Sequence, residues 1–254
     1  MTIDAPKQEQ IGQLRLLWKE AFGDTDAFLD SFFAIAFACD RCRCVTEDSR
    51  VTAALYWFDC SCGGKKMAYL YAVATAKDRR GRGLCRALLE DTHAHLKKKG
   101  YAGTVLVPAD DALRQMYGRM GYLPATTVAE FTCLAAEQEV PVRLLDKSEY
   151  LRLRRERLPA GAVGQEGPLA DLLADQCGLF GGGDFLLAAW TEDGVLHAEE
   201  FLGDRAAAPG IVKALGAKRG VFRAPGGDKP FAMYRPLGEA CPKPGYFGIA
   251  LGYC

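Results

Sequence analysis

Apolar residues fall at helical spacing through Ile11, Leu14, Leu17, Trp18 and Phe22, which predicts an amphipathic helix over 9–22 closed by Gly23. Asp24 or Thr25 can cap a second helix carrying Phe28, Leu29, Phe32, Phe33 and Ile35. The pattern then turns to β-formers. Strands are expected over 43–46 and 51–58, a turn at Gly63-Gly64, and an unbroken strand over 67–75. Leu84, Leu88, Leu89 and Leu96 share one side of a helix over 84–99, which Gly100 ends. A short buried strand over 104–107, a helix from Asp110 or Asp111 through Tyr117, and a strand over 126–134 follow.

Composition shifts near Pro141. An arginine-rich helix over 144–158 is expected to present its charges to solvent. Loops at 161–168 and 181–183 precede a hairpin, 185–190 with 195–201, about the turn Glu192-Asp193-Gly194. A short helix over 209–215 and strands over 221–223, 231–235 and 246–251 complete the reading. KKKGYAGTVLVPAD and ALGAKRGVFRAPGG both read as helix, glycine, short strand and proline, each after a strand pair. That echo predicts a duplicated architecture, divided as 1–138 and 139–254.

The chain has 254 residues, 49% hydrophobic and 25% charged, which excludes a disordered, collagenous or coiled-coil protein. Lys+Arg and Asp+Glu are 32 each, so the net charge is zero. A neutral balance argues against nucleic acid and membrane surfaces as partners. The opening MTIDAPKQEQ lacks a signal-peptide shape, and the apolar stretch 32–39 is too short to span a bilayer, so a cytoplasmic location is expected. Five of the ten cysteines (Cys39, Cys42, Cys44, Cys60 and Cys62) crowd into 39–62, but only Cys39 and Cys42 have zinc-like spacing. Reduced thiols packed as small hydrophobes are the expectation, with no metal.

The stretch that carries chemistry is YLYAVATAKDRRGRGLCRALL, residues 69–89. A strand enters a glycine-rich turn, and the turn opens a helix. Unpaired amides and the helix dipole favour an anion there. Gly81 and Gly83 permit tight curvature, and Lys77, Arg79, Arg80, Arg82 and Arg86 add positive charge. No Gly-Lys-Ser/Thr follows as in a P-loop, and the third glycine of a dinucleotide fingerprint is missing.

This segment resembles motif A of the GNAT acyl-CoA transferases, Arg/Gln-x-x-Gly-x-Gly/Ala, with Arg80, Gly83 and Cys85 at its marked positions. Cys85 departs from the usual small residue, so it either crowds a pyrophosphate or packs inward. DDALRQMYGRMGY, residues 110–122, resembles the family's Tyr-x-x-x-Gly-Phe/Tyr helix through Tyr117, Gly121 and Tyr122. The resemblance covers roughly 10–135 and implies an α/β mixed-sheet GNAT fold, with the second half a degenerate copy lacking the phosphate loop. It implies acetyl-CoA as co-substrate, between splayed strands 69–75 and 104–107. The backbone of Val73, Ala74 and Thr75 would hold acetyl and pantetheine, and Arg80, Gly81, Arg82, Gly83, Leu84, Cys85 and Arg86 the pyrophosphate. Tyr117 would be the general acid for the leaving thiolate.

The implied activity is acetyl transfer to an amine, on a small molecule or a peptide. Asp59, Glu47 and Asp110 are open as bases, and His93 and His95 are expected at a charged, solvated helix end. The second half looks like that of tandem GNAT proteins, including the enhanced-intracellular-survival type, whose sterol-carrier-like domain has no residues left to form it here. A degenerate copy would shape the acceptor pocket or form a homodimer face. In that type a C-terminal carboxylate can act as base, which points to Cys254. The rival readings are a non-catalytic acyl-CoA-binding module and a cysteine-based metal or redox sensor.

Overall fold

The computed structural model describes residues 1–251. In chain order, strand β1 (Thr2–Asp4) leads to helices α1 (Ile11–Phe22) and α2 (Asp26–Ser31). Gly23, at φ +77°, ends α1, and Thr25 caps α2 by accepting from Phe28 N–H at 3.2 Å. The chain continues as a π-helical turn over Phe32–Ala36. Strands β2 (Cys42–Glu47), β3 (Arg50–Cys62) and β4 (Lys65–Thr75) form a meander, followed by α3 (Leu84–Lys98), β5 (Gly103–Leu106), α4 (Asp111–Gly118), β6 (Leu123–Pro124) and β7 (Thr127–Leu134).

The second half contains β8 (Arg143–Leu144), α5 (Lys147–Arg157), β9 (Gly164–Gln165), α6 (Pro168–Gln176), β10 (Gly178–Gly182), β11 (Phe185–Glu192) and β12 (Val195–Leu202). It closes with α7 (Ala208–Ala214), β13 (Arg219–Pro225), β14 (Lys229–Pro230) and β15 (Met233–Pro236).

Two mixed sheets result. The first runs β1-β2-β3-β4-β5-β15-β6, with β9 on β3; the second runs β14-β7-β13-β12-β11-β10-β8. The duplicated architecture is visible in both. Helix α3 ends at Gly100 (φ +79°) before β5, which lies parallel to β4; α7 ends before Gly216 (φ +72°) and β13, which lies parallel to β12.

The two halves exchange strands. Strand β7 pairs antiparallel with β13 in the second sheet, while β15 pairs antiparallel with β5 in the first. A cut after residue 138 therefore leaves β7 on one side and its sheet on the other. The crossing segments are pinned by Phe231 N–H to the Thr126 carbonyl at 2.9 Å and by Thr126 N–H to the Ala232 carbonyl at 3.2 Å.

One face of the first sheet packs on α3 and α4 through Leu55, Trp57, Leu70, Leu88, Leu106 and Tyr117. The other face shares a core with the second sheet, built from Trp18, Phe32, Tyr56, Tyr69, Leu173, Leu186 and Phe247.

Four expectations change. Residues 246–251 form no strand apart from a single bridge from Tyr246 to Ala162. Their polar groups go to side chains instead: Gln165 Nε2 donates to the Ile249 carbonyl at 2.6 Å, Gln165 Oε1 accepts Ile249 N–H at 3.0 Å, and Glu199 Oε1 accepts Ala250 N–H at 3.0 Å. Helix α6 and strand β10 occupy a stretch read without regular structure apart from its loops. Arg154 is buried, held by Glu200, while its helical neighbours Arg152 and Arg155 stay exposed. His93 is buried rather than solvated; burial and nearby Arg235 lower its pKa to about 3.

Candidate active site

Strands β4 and β5 are laddered only over Met67–Gly103, Ala68–Thr104 and Tyr69–Val105. Beyond Tyr69 they part. The cause lies in β4, where Ala72 takes φ +48° and the β3–β4 register shifts between Ala54 and Tyr56. A bulge of this kind re-aims the strand and leaves residues off the ladder. Between the parted strands lies a cleft of about 330 Å³. Its wall combines residues from both faces of the sheet. Leu70, Val73, Leu106, Leu113 and Tyr117 belong to the α3–α4 side, and Trp18, Tyr69, Tyr71 and Leu251 to the shared core. The cleft thus passes through the sheet.

Tyr117 reaches it from α4, whose start is capped by Asp110 accepting Leu113 N–H at 2.7 Å. The ring packs edge-on against Tyr122 at 5.6 Å between centroids. Burial pushes the phenol well above its ordinary pKa, reinforced by Cys85 and Tyr122, so it carries its proton at neutral pH. Among the described residues none hydrogen-bonds this hydroxyl.

Downstream of β4 the chain makes a 3-10 turn over Lys77–Arg79 and enters α3 through Gly81 (φ +76°) and Gly83 (φ +81°). A Cβ at either glycine would meet nothing within 4 Å, so it is the backbone conformation that favours glycine there, and the loop's outer face is open. The N–H groups of Leu84, Cys85 and Arg86 open the helix without acceptors among the described residues. An anion's phosphate oxygens fit such a turn.

Around it, Arg80 Nε donates back to the Thr75 carbonyl at 3.2 Å, Arg82 stands 3.8 Å from Glu47, and Arg86 is exposed. Leu84 is buried in the α3 core. Cys85 packs inward against the same core and does not crowd the turn, and burial pushes its thiol pKa up to about 11. Val73 lines the cleft, while Ala74 and Thr75 continue β4 toward the loop.

The carboxylates weighed as bases lie off the cleft wall. Asp59 accepts a short hydrogen bond from Tyr101 and faces Arg41 and Lys66 at 3.7 Å, Glu47 faces Arg82, and Asp110 is a helix cap. Among the described residues the carboxylate that does line the cleft is Asp24, whose Oδ2 accepts from Trp18 Nε1 at 2.7 Å. The sequence left the cap of α2 open between Asp24 and Thr25; Thr25 takes it, and the Asp24 side chain turns to the tryptophan. Trp18, Tyr71 and Leu251 also join the wall, and only tertiary packing brings them there. Cys254 lies outside the described residues. Among the described residues no three of His, Cys, Asp or Glu stand together as metal ligands. Cys42, Cys44, Cys60 and Cys62 are buried, and burial raises each thiol pKa.

No protein of curated function matches the chain in sequence. Among solved structures, a GCN5-related N-acetyltransferase from Kribbella flavida is similar, with 19% identity and a TM-score of 0.71 over 92% of this chain and 70% of that one. Eis1 from Mycobacterium abscessus has 11% identity and a TM-score of 0.66 over 93% and 74%. A tandem GNAT protein from the clavulanic acid biosynthesis pathway has 11% identity and a TM-score of 0.57 over 94% and 99%. At these identities the likeness is one of fold, and it extends through both halves. The family described as acetyltransferase (GNAT) domain matches residues 2–125, the part that holds the glycine turn, the splayed strands and Tyr117.

Proposed function

We propose that the chain transfers acetyl from acetyl-CoA directly to an amine, with Tyr117 as general acid. The observation that carries this reading is one cleft with a phenol in its wall, at the splay of the same strand that runs on into the open glycine turn of α3. The loop from Arg80 to Arg86 receives the pyrophosphate, with the first-turn amides and the arginines supplying donors and charge. The backbone of Val73, Ala74 and Thr75 guides the pantetheine arm and acetyl group inward. The carrier enters from the α3–α4 side, which leaves the shared-core side to the acceptor.

The chemistry follows from those places. The neutral amine's lone pair attacks the acetyl carbonyl carbon, a C–N bond forms and the C–S bond breaks. The thiolate takes the Tyr117 proton, and the amine's surplus proton leaves to water and is restored to the phenol. In this reading residues 1–138 hold the co-substrate, and 139–254 are a degenerate copy that closes the shared-core side. The test is Tyr117→Phe, assayed by release of CoA thiol. A loss in kcat of about 10²-fold or more, with acetyl-CoA binding kept, is expected for a lost general acid. Full turnover by the variant would remove that role.

A further inference from the structure

The acceptor side of the cleft has a composition of its own. Trp18, Phe22, Tyr69, Tyr71 and Leu251 form an apolar, largely aromatic wall. Trp18 is fixed by close rings, with Phe32 at 4.5 Å, Tyr56 at 5.1 Å and Tyr71 at 5.7 Å between centroids. Among the described residues one carboxylate projects into this wall, Asp24, oriented by Trp18 Nε1 through Oδ2. Among the described residues Asp24 has no ion-pair partner. The two cations of α1 are already engaged: Arg15 holds Asp30 at 2.6 Å, and Lys19 holds Asp26 at 2.8 Å. Among the described residues no Lys, Arg or His lines the cleft.

We infer that the acceptor is a primary amine bearing a single positive charge on an aromatic or otherwise apolar body, an aralkylamine by chemical class. This rests on the proposed acetyl transfer and specifies its substrate. Asp24 attracts the ammonium group, and Trp18, Phe22 and Tyr71 receive the apolar body, with aromatic faces favouring the cation as well. A polyamine or aminoglycoside brings several charges and meets one carboxylate among the described residues, which leaves its remaining ammonium groups desolvated without partners there. An amino acid brings a carboxylate that finds no cation among the described residues of the cleft and is repelled by Asp24. Bound as the ammonium ion, the acceptor loses its proton to water at the open mouth before its nitrogen attacks the thioester.

The test compares phenethylamine, phenylalanine and spermidine as acceptors for the full chain, following thiol release at saturating acetyl-CoA, with acetyl-CoA binding measured separately by calorimetry. Phenethylamine is expected to exceed both others in kcat/KM by at least about tenfold, since unpaired buried polar groups discriminate strongly. Asp24→Asn keeps an oxygen for Trp18 Nε1 and removes the charge. It is expected to raise the KM for phenethylamine about tenfold, with kcat and acetyl-CoA affinity little changed. Phe22 is 47% exposed, so Phe22→Ser leaves the core intact and is expected to narrow the margin of phenethylamine over spermidine. Binding of acetyl-CoA with preferential transfer to spermidine or phenylalanine, or an Asp24→Asn enzyme with unchanged KM, overturns the acceptor assignment alone. Failure of the wild-type chain to bind acetyl-CoA overturns the transfer reading, and the acceptor assignment with it.

Discussion

Replacing Arg154 with methionine would leave a carboxylate stranded in the middle of the molecule. Arg154 is 2% exposed and Glu200 is fully buried. The guanidinium donates to Glu200 through Nε at 2.5 Å and Nη2 at 2.9 Å, and the hydroxyls of Tyr246 at 3.2 Å and Tyr150 at 3.3 Å complete the carboxylate's shell. Without the arginine, Glu200 keeps two neutral donors among the described residues. Breaking a buried pair from one side costs about 3–5 kcal/mol, because the surviving charge stays desolvated. At about 2–4 °C per kcal/mol for a chain of this size, the melting midpoint should fall by roughly 6–20 °C. Chemical denaturation of Arg154→Met, Glu200→Leu and the double variant measures the coupling. The double variant should lose less than the sum of the singles, since it removes both charges together. A loss under about 1 kcal/mol for Arg154→Met, or strict additivity, would refute the claim that this pair is a closed, mutually dependent unit.

Two further outcomes follow from buried groups. His93 is 4% exposed, bonds Tyr122 at 2.8 Å and has a pKa lowered to about 3 from 6.5. Between those values the unfolded chain binds the proton and the folded one does not, so stability falls as pH drops from 6.5 toward 3. His93→Phe should flatten that slope in urea titrations run across the window, and an unchanged slope would contradict the assignment. Gly248 lies against Glu200, so a Cβ there would run into the carboxylate oxygen. Gly248→Ala should destabilise by about 1–3 kcal/mol through overpacking, read from its denaturation midpoint.

The glycine turn before α3 was legible because its requirements are local. Two glycines at positive φ and a helix start within a few residues leave a signature in sequence. The duplicated architecture was legible for the same reason, through Gly100 and Gly216 at matching helix ends. The strand exchange was not. Strand β7 has the β-propensity read for it, but propensity does not say which sheet receives it. Segment 246–251 looked like a strand because it is apolar, whereas the backbone groups of Ile249 and Ala250 bond the side chains of Gln165 and Glu199. Arg154 sat in a run of arginines that otherwise face solvent, and only its distant partner, 46 residues on, marks it as different. Asp24 and Trp18 enter the cleft through a fold-level contact between the end of α1 and the splay of β4, which spacing along the chain does not encode.

The central claim is that the glycine turn and the splay form one acetyl-CoA site, and calorimetric titration of acetyl-CoA into the intact chain tests it most directly. Gly83→Glu places a carboxylate at the anion turn, and Gly83→Ala imposes the same backbone cost at φ +81° without charge. One-to-one binding by the wild type, kept within a few-fold by alanine and weakened at least about tenfold by glutamate, is the predicted result for charge placed against a phosphate. Absence of binding to the wild type, or equal affinity for the glutamate variant, would contradict it.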